Sequence, residues 1–409
     1  MQTRMSSIPK LILALQAVVA LGLNSLVAGQ TNESPGRVHA PPNDPLFEKQ
    51  ENLFRKLNVF EAWRVTKGDS NVLIGIIDNG FDFFHPDLKG NLLPGFYAPN
   101  AYHTEVLEGI AHGTMVASLI IAGSGNGIGM SGLAPGCRAV AAAHGSIENQ
   151  YAKLMLQFRK DHPDAGPGEF NKVLREHPEL KEFGLKHRHF VYETMARAIR
   201  DLTERKVKVI NMSQFLALAS CPAETKPAFE AAVEYARQKD VVLVLGAGNN
   251  GRLCEDYPGN PDAVIVVGAV LLNDSRWEEV HDIKGTKIKE GSNFGKRLTV
   301  VAPTEDLQVC WPHDKRFYAS VDGPMGVTQA EFEGPYRVFP GKGTSCAAPI
   351  VTALVALVRS VRPDLDAPSV VEIVKRGCDD IGEPGYDIYT GYGRVNFGKT
   401  VRLAQTWKR

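Results

Sequence analysis

The sequence predicts an α/β protein in three layers, with a central, mostly parallel sheet between helices. Two observations carry this. Continuous apolar runs recur at residues 72–77, 241–245 and 263–269, and such runs suit parallel strands buried on both faces. Between them lie segments with helical periodicity, such as Val191, Met195, Ala198, Ile199 and Leu202. Short strands alternating with helices indicate a parallel sheet covered on both sides.

Taken in order, the chain opens with Arg4 and Lys10 before the apolar run 11–23, followed by small residues up to Gly29. This is the pattern of a secretory signal peptide over residues 1–29, cleaved before Gln30. Export places the mature chain outside the cytoplasm, in the periplasm or beyond it. Residues 30–42 are polar and proline-rich and read as a linker. The folded domain is expected over 43–405. No later run is expected to span a bilayer, so no stable membrane association follows. The 46 basic and 46 acidic residues of the 409-residue chain balance, so net charge recruits no nucleic acid or membrane surface.

The strand 72–77 ends in Asp78-Asn79-Gly80. A short apolar helix is expected after His112-Gly113, then a strand at 138–143. Residues 146–188 are rich in charge and broken by Pro163, Gly166-Pro167-Gly168 and Pro178, and read as an insertion with two short amphipathic helices. A helix over 190–205 follows, then strands 207–212, 241–245 and 263–269. Ser345 opens a helix that is apolar on most faces, a buried kind, with Pro349 expected in its first turn. A last helix is expected from about Ser369 to Lys375.

Three residues stand in settings that suit nucleophilic catalysis. Asp78 ends a buried strand, where open α/β sheets place their sites. His112 lies before glycine at the edge of a helix. Ser345 follows Gly343-Thr344 at a helix start, beside free N–H groups and the positive end of the dipole. Taken singly, each has a plainer reading: a turn residue, a structural histidine, an N-cap. Together they supply a nucleophile, a base and the carboxylate that orients the base. A fourth segment supports them. The run 241–245 leads into Gly246-Ala247-Gly248-Asn249, where small residues open the strand end for a side-chain amide that can meet an oxyanion.

The order Asp78, His112, Ser345 is that of the subtilisins, and the chain resembles the subtilase family of serine proteases. Asp78-Asn79-Gly80, His112-Gly113-Thr114-Met115-Val116-Ala117, Gly246-Ala247-Gly248-Asn249 and Gly343 to Pro349 match its motifs. The resemblance spans roughly 43–405 and implies a subtilisin-like fold and a secreted endopeptidase acting on proteins or peptides. Asp78, His112 and Ser345 would form its triad, and Asn249 its oxyanion donor. Ser213, Gln214 and Phe215 with Gly246, Ala247 and Gly248 would line the substrate cleft. Phe215 stands where the family has glycine, which would narrow or redirect the primary pocket. Asp256, before Tyr257-Pro258-Gly259, would favour a basic residue at the cleaved position. Only residues 30–42 stand where many relatives carry a longer inhibitory propeptide.

The resemblance implies no cofactor for the chemistry, but a structural Ca²⁺. Its ligands would be Asp87 and Asn126, the carbonyls of Ser124, Ile128 and Met130, and Gln50 as a sixth. Of the six cysteines, Cys221 and Cys254 follow strands whose loops would meet, and a disulfide between them is expected. Cys346 reads as a free apolar filler. A rival reading is a non-catalytic interaction protein that binds through 146–188; the intact set of catalytic residues argues against it.

Overall fold

The computed structural model describes residues 41–98, 107–144, 178–214, 217–283, 286–305, 307–312, 334–339 and 342–408. The expected signal peptide, nearly all of the linker, Phe215 and the insertion up to residue 177 lie outside these.

Seven strands form one sheet in the order β2-β3-β1-β4-β5-β6-β9. They are β1 (Leu73–Asp78), β2 (Leu92–Tyr97), β3 (Arg138–Ala143), β4 (Val209–Met212), β5 (Val242–Gly246), β6 (Val264–Val270) and β9 (Val300–Pro303). Every pairing within it is parallel. Two antiparallel hairpins stand apart: β7 (Glu278–Ile283) with β8 (Thr286–Gly291), and β10 (Leu307–Cys310) with β11 (Tyr336–Phe339).

Alternation along the strands fills two cores, one on each face of the sheet. Ile74, Ile76, Val209, Val242, Val244, Ile265 and Val267 pack into one. Ile77, Ile210, Met212, Leu243, Leu245, Val264 and Val266 pack into the other. The first face is covered by α3 (Leu107–Ile121) and α6 (Thr344–Val361), with α1 (Glu51–Lys56), α2 (Val59–Trp63), α7 (Ala367–Arg376) and α8 (Phe397–Thr406) packed around them. The second is covered by α4 (Pro178–Glu204) and α5 (Lys226–Gln238). The expected α/β/α layering is therefore observed.

Several elements differ from expectation for local reasons. The sequence reading passes over β2, because Pro94-Gly95 breaks its pattern; as an edge strand it tolerates proline. Helix α4 begins at Pro178, not near Phe190, so residues 178–188, the last quarter of the expected insertion, are helix. Proline costs nothing at the first helical position, and the supposed break is a start. Helix α7 begins two residues before Ser369, because Asp366 caps it by accepting from Ser369 N at 3.0 Å.

Helix α6 is the centre of the molecule. Every residue from Thr344 to Arg359 except Ser345 is buried. Its mean hydropathy over 18 residues is 1.6, enough to cross a membrane by length and composition, which the sequence reading did not anticipate; here it is a core helix. It packs against β1, β4, β5, β6 and β9 and against α3. Two polar side chains anchor it, one at mid-helix and one near its C-terminus. Thr352 donates to Asn211 Oδ1 of β4 at 2.9 Å. The fully buried Arg359 donates to Asp240 Oδ2 at 3.1 Å and to Asp240 O at 2.9 Å.

Candidate active site

Strand β1 lies between β3 on one side and β4 on the other. Their carboxyl ends frame a crevice of the kind that holds ligands in open sheets. Asp78 is the last residue of β1 and is completely buried. Both its oxygens accept from His112 Nδ1, at 2.8 and 2.9 Å, and Oδ1 also accepts from Asn79 N at 2.8 Å. These bonds fix the imidazole with its proton on Nδ1 and leave Nε2 for chemistry. His112 lies six residues into α3, not before it. A Cβ on Gly113 would meet Gly80 O at 2.1 Å, so the helix can lie against the Asp78 turn only with glycine.

The His112 side chain is 32 % exposed. Burial pushes its pKa down, but the charge of Asp78 and the hydrogen bond to it push up more strongly, and the net is a rise.

Ser345 is the second residue of α6 rather than its N-cap, which is Gly343. Its Oγ donates to Ser213 O at 3.0 Å. Pro349 lies inside the helix, beyond the expected first turn. Having no N–H, it leaves the carbonyl four residues back, that of Ser345, without a helical partner. Ser213 Oγ fills the gap, donating to Ser345 O at 2.8 Å, and itself accepts from Asn211 Nδ2 at 2.9 Å. The sequence reading missed Asn211; a lone polar residue in the apolar strand 209–212 was the available signal.

Asn249 stands beside the helix start. Its Oδ1 accepts from Thr344 N at 3.0 Å and from Thr344 Oγ1 at 2.9 Å. Thr344 Oγ1 in turn accepts from Gly248 N at 2.9 Å. The carbonyl end of the amide is thus consumed and Nδ2 is left over. A Cβ on Gly343 would come within 3.3 Å of that nitrogen, so glycine keeps its approach clear. Helix α3, which carries His112, packs on α6, which carries Ser345. All four expected catalytic residues therefore gather at one end of the sheet.

Of the expected cleft residues, Ser213 and Gly246 to Gly248 lie at the ends of β4 and β5. Gln214 donates to His144 Nε2 at 2.6 Å, and His144, which follows β3, donates its N–H to Asp78 O at 3.1 Å. Asp256 accepts from Ala219 N, and its own carbonyl accepts from Leu218 N at 3.2 Å. The loops of Cys221 and Cys254 do meet, but through these backbone bonds. Both cysteines are free, which corrects the expected disulfide. Cys346 is free and buried, and burial pushes its thiol up to about 12, leaving it an inert neighbour of Ser345.

Of the residues expected to hold Ca²⁺, Ser124, Asn126, Ile128 and Met130 lie on one loop and Asp87 bonds to it, while Gln50 is engaged elsewhere. The Gln50 amide is consumed at both ends by Ser131, donating to its carbonyl and accepting from its N–H, each at 2.8 Å. The acidic partner is Asp44 instead, which accepts from Gly125 N at 2.9 Å and Asn126 N at 3.0 Å. Asp87 accepts from Asn126 Nδ2 and Met130 N, each at 2.9 Å. Both carboxylates are buried. Burial raises the Asp87 pKa, and the charge of Asp44 adds to the rise. Among the described residues no donor reaches the carbonyls of Ser124, Ile128 or Met130, and the buried Ser124 Oγ is also unpaired. Two buried anions beside unpaired oxygens fit a hard cation.

The Subtilase family model matches residues 69–393. The thermophilic serine proteinase of Bacillus sp. (strain AK1) is 28 % identical over 357 residues, covering 87 % of this chain and 68 % of that one. Thermitase of Thermoactinomyces vulgaris is 25 % identical over 361 residues, covering 88 % and 99 %. In fold the chain is similar to fervidolysin from Fervidobacterium pennivorans, described as a keratinolytic enzyme related to subtilisin. The TM-score is 0.59 at 23 % identity, over 91 % of this chain and 48 % of that one.

The Ser213 bond gives a direct test of how the nucleophile's helix is held. Ser213→Ala leaves the Ser345 carbonyl unpaired, and folding stability should fall by about 1–3 kcal/mol in chemical denaturation.

Proposed function

Because the chain belongs to the subtilase family, we propose that it is a serine endopeptidase with Ser345 as nucleophile, His112 as base and Asp78 as orienter. The observation that carries this is the buried Asp78 carboxylate bonded to His112 Nδ1. It fixes the tautomer in which Nε2 accepts a proton.

Ser345 Oγ turns from Ser213 O toward His112 Nε2, gives up its proton and attacks the scissile carbonyl. The imidazolium formed is stabilised by Asp78. Asn249 Nδ2 and the Ser345 N–H meet the developing oxyanion. His112 then protonates the leaving amine, and the acyl-enzyme is released by water that His112 activates in turn. Ser213 and Gln214 would line the cleft with Gly246 to Gly248 and Phe215. Asp256 favours Lys or Arg at the cleaved position, since its carboxylate is the acidic group on the expected pocket wall.

The chemistry needs no cofactor. Asp44, Asp87 and the carbonyls of Ser124, Ile128 and Met130 would hold a structural Ca²⁺, with Asn126 beside them. The bound ion would neutralise the two carboxylates and hold the loop 123–130 against the chain entry at Asp44. Residues 1–29 act as an export signal, so the enzyme works outside the cytoplasm on protein or peptide substrates.

A fluorophosphonate probe should label the wild type and fail to label Ser345→Ala, which loses more than about 10⁴-fold in kcat; an unlabelled, folded wild type would reject the reading. The rate should rise with pH through a midpoint above the ordinary histidine value of about 6.5, because the base must be neutral. In Asp78→Asn burial acts unopposed, and the midpoint should drop. The same pair stabilises the fold fully below the unfolded histidine value, and that contribution fades as pH rises through the higher folded one. Digestion of a peptide library, with and without a chelator, tests the rest. The expected result is cleavage after basic residues and a lower melting temperature in chelator; a flat profile at that position removes the role of Asp256.

A further inference from the structure

The turn that carries Asn249 is held from behind by one side chain to which the proposed mechanism gives no role. Asn293 is fully buried and follows the β7–β8 hairpin. Its Oδ1 accepts from Asn250 N and from Arg252 N, each at 3.1 Å. Its Nδ2 donates to Ala247 O at 2.9 Å, and its own N–H donates to Gly248 O at 2.8 Å. One residue thus bonds backbone groups on both sides of Asn249, two before it and two after.

Neighbouring groups complete the clasp. Gly291 N donates to Asn249 O at 3.0 Å, and Gly251 N donates to Gly291 O at 2.8 Å. Tyr257 Oη donates to Ala247 O at 2.9 Å. Among the described residues, only the Asn293 side chain binds the turn at three separate residues. Without it the N–H groups of Asn250 and Arg252 and part of the bonding at Ala247 O lose their partner at once. Asn250 and Arg252 are exposed, so water can take over their N–H groups, and the turn, no longer tied to a buried side chain on both sides of Asn249, is free to leave this conformation.

We propose that Asn293 is a positioning residue for peptide-bond hydrolysis: its carboxamide holds the 247–252 turn in the conformation that aims Asn249 Nδ2 at the oxyanion. The proposal rests on the reading of Asn249 as oxyanion donor and adds a residue that touches no substrate. It follows from the sensitivity of oxyanion stabilisation to placement, where donors must lie within hydrogen-bond reach of the oxygen as it acquires charge. The bonds from Thr344 fix the far end of the Asn249 amide, and Asn293 fixes the backbone on either side of it. Both are needed to define the direction of Nδ2.

The test is a double-mutant cycle on the full chain, using the fluorogenic peptide that the wild type cleaves fastest. Asn249→Ala should lower kcat by about 10²–10³-fold. Asn293→Ala should lower kcat by up to about 10²-fold with KM little changed, since a misplaced donor acts on the transition state. In the Asn249→Ala background the same change at 293 should matter by less than about threefold, because its target is gone. Asn293→Asp keeps the acceptor for both N–H groups and should recover part of the loss; it also serves if the alanine variant does not fold. Each variant is assayed well below its measured melting temperature. Losses that multiply in the double mutant, or an Asn293 variant that is less stable but has normal kcat, would overturn the proposal and leave Asn249 intact. A normal kcat in Asn249→Ala would overturn both.

Discussion

The site depends on the burial of helix α6. A helix surrounded by protein cannot leave its terminal backbone groups to water, so other side chains must meet them. Asn249 Oδ1 takes the Thr344 N–H. Ser213 Oγ takes the Ser345 carbonyl, which Pro349 has deprived of its helical bond. The residues that satisfy this helix start are the same ones that surround the proposed nucleophile. Geometry at the serine is thus a by-product of hydrogen-bond satisfaction in the core, and it is as rigid as the core. The chain Thr352–Asn211–Ser213–Ser345 extends this logic from the middle of the helix to its tip.

The electrostatics of the crevice are set by the same packing. Asp78 ends a strand that is paired on both sides, so its carboxylate is fully buried. Such a charge needs donors, and it finds them in His112 and the Asn79 N–H. The result raises the imidazole pKa despite the cost of burial. Cys346, one residue past Ser345, meets no such partner and stays protonated. Adjacent residues on one helix therefore have different chemistry, because Ser345 faces the crevice and Cys346 faces the core.

Away from the crevice, two charge clusters lie where elements are joined. Asp44 and Asp87 meet around the 123–130 loop, tying the chain entry to the segment after α3. Arg394 bonds Asp274 and Asp379 and Lys56 bonds Asp274, linking the last strands and turns to α1. In the second cluster, desolvation raises the Asp274 and Asp379 pKa values, but hydrogen bonds and opposite charge lower them further, and the net is a fall. In the first, burial and like charge win for Asp87. Asp87 and the pair Asp274 and Asp379 shift in opposite directions because, among the described residues, the pair has Lys and Arg side chains against it while the charge beside Asp87 is that of Asp44.

The sequence by itself determined the layers of the fold and the positions of Asp78, His112, Asn249 and Ser345. Apolar runs report burial on both faces of a strand, and the motifs are short and local, so both survive without coordinates. It could not determine elements whose local signal contradicts their place. Pro94 hid an edge strand, Pro178 looked like a break and starts a helix, and Pro349 lies deeper in its helix than expected. Pro178 is acceptable for a local reason, its place at a helix start, but Pro94 and Pro349 are acceptable because of the sheet edge and the Ser213 hydroxyl beside them, which are tertiary facts. The partners of the site were equally out of reach. Asn211, Asp44 and Asn293 are ordinary polar letters in sequence. They lie 134, 43 and 44 positions from Ser345, Asp87 and Asn249, and only folding brings them to the buried groups they satisfy. The cysteines show the same limit: meeting loops suggested a disulfide, while the packing joined them through backbone hydrogen bonds and left both thiols free.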